Sequence, residues 1–268
     1  MSVNAQVNVW TYHNDVSRTG ANTNETLLTL ENVNAATFGK LFSYSLDGDV
    51  YAQPLYISGL SIPGQGVRNV LFVATQHNSV YAFDADNPAG SSSGLLWHVN
   101  LGPSAATPNP DFGNRFGGFV EIQPEVGITG TPGIDTNTGT LYVDAFTHEE
   151  ASYFHKLHAL DIADGTDRPF SPVLVSASIP GNGVGGTNGV VTFEAKQQLQ
   201  RSALTLANGQ VYVAFASYAI TDPIFVNLRP PVRGKMLLGS PILKPAGAVY
   251  RFFFRLHRKQ MLLIFLSV

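Results

Sequence analysis

Asn69-Val-Leu-Phe-Val-Ala-Thr-Gln-His-Asn-Ser-Val-Tyr-Ala-Phe-Asp-Ala-Asp-Asn87, followed after a loose loop by Leu95-Leu-Trp-His-Val-Asn-Leu101, decides the fold class. Val70 to Thr75 and Ser79 to Asp84 are short runs of β-branched and aromatic residues joined by the polar turn Gln76-His77-Asn78, the pattern of an antiparallel hairpin. Leu95 to Leu101 adds another strand. Such a meander has two apolar faces and must stack against copies of itself to bury them.

Copies are present. Tyr51-Ala-Gln-Pro-Leu-Tyr-Ile57 is echoed by Ile128-Thr-Gly-Thr-Pro-Gly-Ile134 and by Gln200-Arg-Ser-Ala-Leu-Thr-Leu206. Each is followed by a similar second strand: Val70-Leu-Phe-Val-Ala74, Thr140-Leu-Tyr-Val-Asp144, Gln210-Val-Tyr-Val-Ala214. Tyr81-Ala-Phe-Asp84 and His158-Ala-Leu-Asp161 then supply a third strand ending in Ala-x-Asp. The copies are offset by 78 residues (Pro54 to Pro132) and 71 residues (Pro132 to Ala203). That exceeds the roughly 40 to 50 residues usual for a propeller blade, and long loops at 86–94, 102–126 and 180–200 take up the excess.

The repeat resembles the pyrroloquinoline-quinone-type β-propeller repeat of the quinoprotein alcohol dehydrogenase-like superfamily, on Ala82, Asp84, Gly94 and Trp97 in the first copy and Ala159, Asp161 and Gly165 in the second. In the second copy Phe170 is the nearest substitute for the tryptophan. The entry segment, with Trp10-Thr-Tyr12, Arg18 and Asn32-Val33, is similar too, so the likeness runs from residue 10 to about 218. It implies an all-β propeller of four-stranded antiparallel blades, of which about two and a half are present. The implied organisation is a cap and closing strand over 1–50, a partial propeller over 51–218 and a non-repeat tail over 219–268. Ala82, Asp84, Trp97, Ala159 and Asp161 are assigned to blade docking: a carboxylate after a strand accepts turn amides, and an indole offers a large apolar face with one donor.

Composition narrows the classes. The 268 residues are 44% hydrophobic, with 26 glycines and 16 prolines scattered between apolar runs, which favours many turns over long helices. There is no cysteine, so disulfides and thiolate metal sites are excluded. No apolar run approaches the ~20 residues of a membrane span, and Met1 to Gln6 do not read as a signal peptide. Secretion or a periplasmic location is expected from the resemblance alone. All 19 acidic residues and 8 of the 16 basic ones lie at or before Asp222, while the tail holds the other 8 basic residues and no acid. The repeat also stops there, in mid-blade, as a shifted reading frame or truncated gene would produce. A basic amphipathic helix carrying Arg251, Arg255, Arg258 and Lys259 to a membrane surface is the functional alternative. No nucleic-acid partner is expected.

Three stretches invite a chemical reading. His148, Glu149, His155 and His158 have ligand chemistry, but not the helical zinc spacing, and alternation puts His155 and His158 on opposite faces. The expectation is no metal and a solvated hairpin with surface histidines. Gly181 to Gly189 is glycine-rich without the Lys-Ser/Thr of a phosphate loop and reads as an inter-strand loop. His13, Asp15 and Arg18 read as a cap bonding its own backbone. The candidate ligand site is the channel mouth, where Arg115, Gln123, Glu125 and Arg201 would meet a protein, polymer or small ligand. Quinone catalysis would need a catalytic aspartate and a Ca²⁺ site of Asn, Glu and Asp oxygens, and no complete set is legible. The expected function is therefore a non-catalytic binding or scaffold module without cofactor, part of an exported protein. The alternative is a fragment of a quinone-dependent dehydrogenase using pyrroloquinoline quinone with Ca²⁺.

Overall fold

The computed structural model describes residues 7–88, 93–109, 111, 121–182, 186–217, 250–257 and 259–267. The chain is all-β, a partial propeller of antiparallel sheets packed side by side. The first sheet is a meander of β1 (Leu55–Ile62), β2 (Gly66–Ala74), β3 (Ser79–Asp84) and β4 (Leu95–Asn100). At the β2–β3 turn Asn78 adopts a left-handed φ of 58°, which asparagine tolerates better than most residues.

Between the first two sheets, β5 (Ala105–Ala106) pairs with β6 (Glu125–Val126). The second meander comprises β7 (Gly133–Asp135), β8 (Thr140–Glu149), β9 (Ser152–Asp161) and β10 (Val173–Leu174). The glycine-rich stretch joins β11 (Ser178–Pro180) to β12 (Val190–Thr192) as a hairpin loop. In the third sheet β13 (Gln198–Leu199) and β14 (Thr205–Ala207) pair with β15 (Gln210–Ser217). β16 (Tyr250–His257) and β17 (Lys259–Ser267) complete it in the order β14-β15-β17-β16. The described part of the tail thus forms a hairpin, where the functional alternative has an amphipathic helix. Phe252 to Phe254 and Leu262 to Leu266 are aromatic and aliphatic runs that suit a ladder, and β15 offers an edge to receive them.

The core lies between sheets. Residues of β8 are almost continuously buried because its two faces serve different neighbours. Leu141 and Val143 join Leu55, Phe72, Ala82 and Trp97 in one cluster, while Tyr142 joins Leu157, Leu204, Val211, Val213 and Phe215 in another. A strand covered on both sides reads as a mostly apolar run, and Leu141 to Phe146 is one broken only by the buried Asp144.

Trp97 is the principal dock between the first two sheets. Its ring lies against Gly165, where an added Cβ would come within 2.6 Å of the indole, and its Nε1 donates to the Ile162 carbonyl at 3.0 Å. Ala82, wholly buried, pairs with Trp97 across β3 and β4 and leaves room for the ring beside Phe72. Asp84 accepts the amides of Asp86 and Asn87 and an ion pair from Arg68. Asp161 accepts the Ala163 amide and an ion pair from Arg168. Ala159 lies opposite Tyr142 and faces the third sheet. Phe170 does not replace the tryptophan: it is 90% exposed, and Val173 and Val175 pack on the cluster instead. A proline follows Phe170 two residues on, and its own φ of 69° turns it out of the strand path.

The outer flank of the first sheet is not bare, as a missing neighbour would leave it. Residues 41–47 run extended with strictly alternating exposure, and Tyr44 stacks on Phe83 at 4.2 Å. Tyr44 and Leu46 cover Val73, Tyr81 and Phe83. The segment joins no ladder among the described residues.

Candidate functional site

β1, β7 and β14 are edge strands, and the segments leading into them converge at one end of the stack. Thr131, 3% exposed, joins all three: its Oγ1 accepts the Gln53 amide at 2.9 Å and its carbonyl accepts the Leu204 amide at 2.9 Å. The β2–β3 turn comes to the same end. Gln76, fully buried, accepts the Gly127 amide at 2.8 Å and donates through Nε2 to Thr129 Oγ1 at 3.1 Å. Asn78 Nδ2 donates to the Phe146 carbonyl at 2.7 Å. These buried amides satisfy backbone groups that the gap between sheets would otherwise orphan. Gly127 is required there, because a Cβ would lie 2.2 Å from the Gln76 carbonyl.

Glu125 stands on the rim of this network. Both its oxygens lie within 3.1 Å of His77 Nδ1, and Ser104 Oγ donates to it. The carboxylate sits between the serine and the histidine, so His77 is not placed to take the Ser104 proton and the three do not form an acyl-transfer arrangement. Nearby, Asp47 accepts from Ser79 and Thr75. Burial alone would push its carboxyl up, but the hydrogen bonds from Ser79, Tyr81 and Thr75 outweigh that and hold it below the usual range.

Arg201 is placed differently. It is exposed, its guanidinium stands 5.9 Å from the centroid of the Tyr51 ring, and Nη1 lies 3.5 Å from the Thr129 carbonyl. Among the described residues no carboxylate pairs with it, whereas Arg68 and Arg168 are each paired. Tyr51 is 37% exposed, so an aromatic face and a guanidinium with spare donors are presented together. Gln123 is exposed and precedes a cis Pro124. Of the four sequence-derived mouth residues, Glu125 and Arg201 therefore sit at the converging end. Arg115 lies outside the described residues.

The histidine-rich hairpin departs from its reading as a solvated element. His155 and His158 do face opposite sides of β9, but they are 1% and 4% exposed. His155 Nδ1 is 2.7 Å from Asp144 Oδ2, and its Nε2 is 3.0 Å from the Gln198 carbonyl. Phe146, Phe193 and Phe215 surround its ring. His158 Nδ1 meets Asp167 at 3.1 Å, while its Nε2 is buried without a partner. Burial lowers the His158 pKa, with the Asp167 charge opposing. Both neighbouring sheets cover β9, which alternation within one strand does not reveal. Only His148 stays near the surface, stacked on Tyr153 at 4.2 Å.

A quinone with calcium would need several oxygen ligands and a free carboxylate at this end. Among the described residues no three His, Cys, Asp or Glu side chains converge on one point, and the Glu125 carboxylate is already engaged by His77 and Ser104. The described part of the mouth does not fit that pair.

No family model matches the sequence, and no curated protein matches it. Among solved structures, the chain is similar to a quinohemoprotein alcohol dehydrogenase of Pseudomonas putida HK5, with 14% identity and a TM-score of 0.29. The likeness covers 62% of this chain and 34% of that one, so the chain spans about a third of that structure's length.

Proposed function

We propose that the chain is a propeller-type binding module that takes a carboxylate-bearing ligand at the end where β1, β7 and β14 begin. The observation that carries this reading is the exposed Arg201 guanidinium beside Tyr51, without a carboxylate partner among the described residues. A guanidinium already oriented by a carbonyl and a ring loses little freedom when it receives a planar oxyanion in bidentate fashion. Tyr51 supplies a face on which an adjoining sugar or aliphatic ring can lie. The buried amides beneath keep the platform fixed without presenting unpaired groups to solvent.

The test is titration calorimetry of the full chain with an oligogalacturonate and with its methyl ester. Binding of the acid form, weakened about tenfold by Arg201→Ala and lost in the ester, supports the reading. Equal behaviour of both ligands, or an unaffected Arg201→Ala variant, refutes it. Dye reduction with alcohols after adding pyrroloquinoline quinone and Ca²⁺ would replace it with the dehydrogenase reading.

A further inference from the structure

The residues from Asn8 to Arg18 touch an edge strand of each of the three larger sheets in turn. On β1, the Val9 and Tyr56 amides exchange hydrogen bonds with each other's carbonyls at 2.8 and 2.9 Å, and Asn8 Oδ1 accepts from the Ser58 amide at 2.8 Å. On β7, the Ile134 amide donates to the Trp10 carbonyl at 2.8 Å. At β14, Arg18 Nη2 donates to the Leu204 carbonyl at 3.1 Å and to Thr205 Oγ1 at 2.6 Å. The same guanidinium is held from behind, Nη1 donating to Thr11 Oγ1 at 2.6 Å and to the Tyr12 carbonyl at 2.7 Å. Arg18 thus bonds its own segment, as a local cap does, and also two partners that lie 186 and 187 residues away.

The turn that carries it is held tightly. His13, Asn14 and Arg18 all have left-handed φ angles (54°, 68° and 59°), which non-glycine residues adopt only when their surroundings compel it. Amides of Arg18 and Gly20 return to the carbonyls of Asp15 and His13, and the Thr19 hydroxyl donates to Asp15. The fork of Arg18 is thereby aimed at the third sheet.

We infer that this segment is a chord spanning the three sheets, and that Arg18 is a positioning residue for the ligand mouth. The second sheet holds the third through the Thr131–Leu204 and His155–Gln198 bonds and an apolar cluster, and reaches the first through Thr131 and Gln53. Two described links join those outer sheets directly: the chord ending in Arg18, and the Arg201–Tyr51 contact itself. A cation over an aromatic face is soft in distance, whereas a guanidinium with two bonds forward and two behind is not. The chord therefore fixes the separation at which Tyr51 and Arg201 are presented.

The inference rests on the proposed mouth for its consequence, and its test separates the two. The sequence has no cysteine, so Val67→Cys and Lys196→Cys, both at exposed positions on the first sheet and at the entry to the third, accept spin labels uniquely. Pulsed dipolar spectroscopy of the doubly labelled full chain is expected to give one narrow distance distribution. Arg18→Ala shifts it to longer separations and broadens it. Arg18→Lys, which keeps the charge and loses the fork, does the same, and Thr205→Val gives a smaller shift. Arg201→Ala weakens oligogalacturonate binding about tenfold and leaves the distances unchanged. Unaltered distances in folded Arg18→Lys and Thr205→Val variants overturn the inference. Failure of the unsubstituted protein to bind the ligand overturns the proposed function, and the distances then still decide the chord.

Discussion

The indole nitrogen of Trp97 and the carbonyl of Ile162 are 3.0 Å apart, which ties the last strand of the first sheet to the turn leaving β9 in the second. The ring above that bond rests on Gly165, whose φ of 76° is left-handed. One residue thus supplies both the apolar contact and the directional bond between sheets.

Trp97→Ala is expected to destabilise the protein by about 3–5 kcal/mol, the range for emptying a large buried aromatic site. Gly165→Ala should also destabilise, from the ring clash and the φ together. If both act through one contact, the double variant falls well short of the sum of the two losses in denaturant melts. Strict additivity would show that Gly165 matters for its backbone alone.

Asp144 and His155 form a buried ion-pair geometry inside a cage of three phenylalanines. Removing one partner leaves the other uncompensated, so Asp144→Ala should cost about 3–5 kcal/mol. Asp144→Ala combined with His155→Phe, which extends the aromatic cage, should recover part of that loss. A double variant less stable than either single one would show that the pair contributes beyond mutual neutralisation.

His158 sets an acid limit. Its pKa lies below 6.5 in the folded chain because burial disfavours the imidazolium more than Asp167 favours it. The unfolded chain then binds the extra proton first as pH falls, so stability is full above about 6.5 and declines below it. Denaturation midpoints at pH 7.5, 6.5 and 5.5 should fall in that order, and His158→Asn should flatten the trend between the last two.

Tyr56 marks the alkaline side. Burial, aided by the Asp86 charge, pushes its phenol up to about 12. The contribution is present below the unfolded value of 10 and is lost as pH rises from 10 towards 12. Its Oη is buried without a partner. Tyr56→Phe is therefore expected to cost nothing or to stabilise by up to about 1 kcal/mol. It should also remove a phenol that ionises above the ordinary range in an ultraviolet titration.

The strands were legible because their signal is local. Val70 to Ala74, Thr140 to Asp144 and Gln210 to Ala214 all lie in the middle strands of their sheets, and Ala82 and Asp84 sit where the repeat puts them. Gln76, Asn78 and Thr131 were not legible as inter-sheet links, because a polar residue in a turn looks the same whether it meets water or a neighbouring backbone. The burial of His155 and His158 was hidden for the same reason: it depends on what flanks the sheet. Glu125 and Arg201 could be found from their place before repeated strands, but Ser104 comes from the far end of the same connection as Glu125, and His77 and Tyr51 come from the first copy.

The transposed order of the third sheet bears on how the chain reaches its native state. In the first two sheets each strand pairs with its successor in sequence, so hairpins can close one after another. In the third, β15 pairs with β17, which places Ala214 beside Leu263, and β16 lies beyond β17 at the sheet's edge. Loop closure of that span is an entropic cost met before any contact repays it, and topologies with distant pairings fold slowly. The third sheet is therefore expected to be the last to acquire amide protection during refolding, leaving the edge of β15 accessible to other strands in the interval.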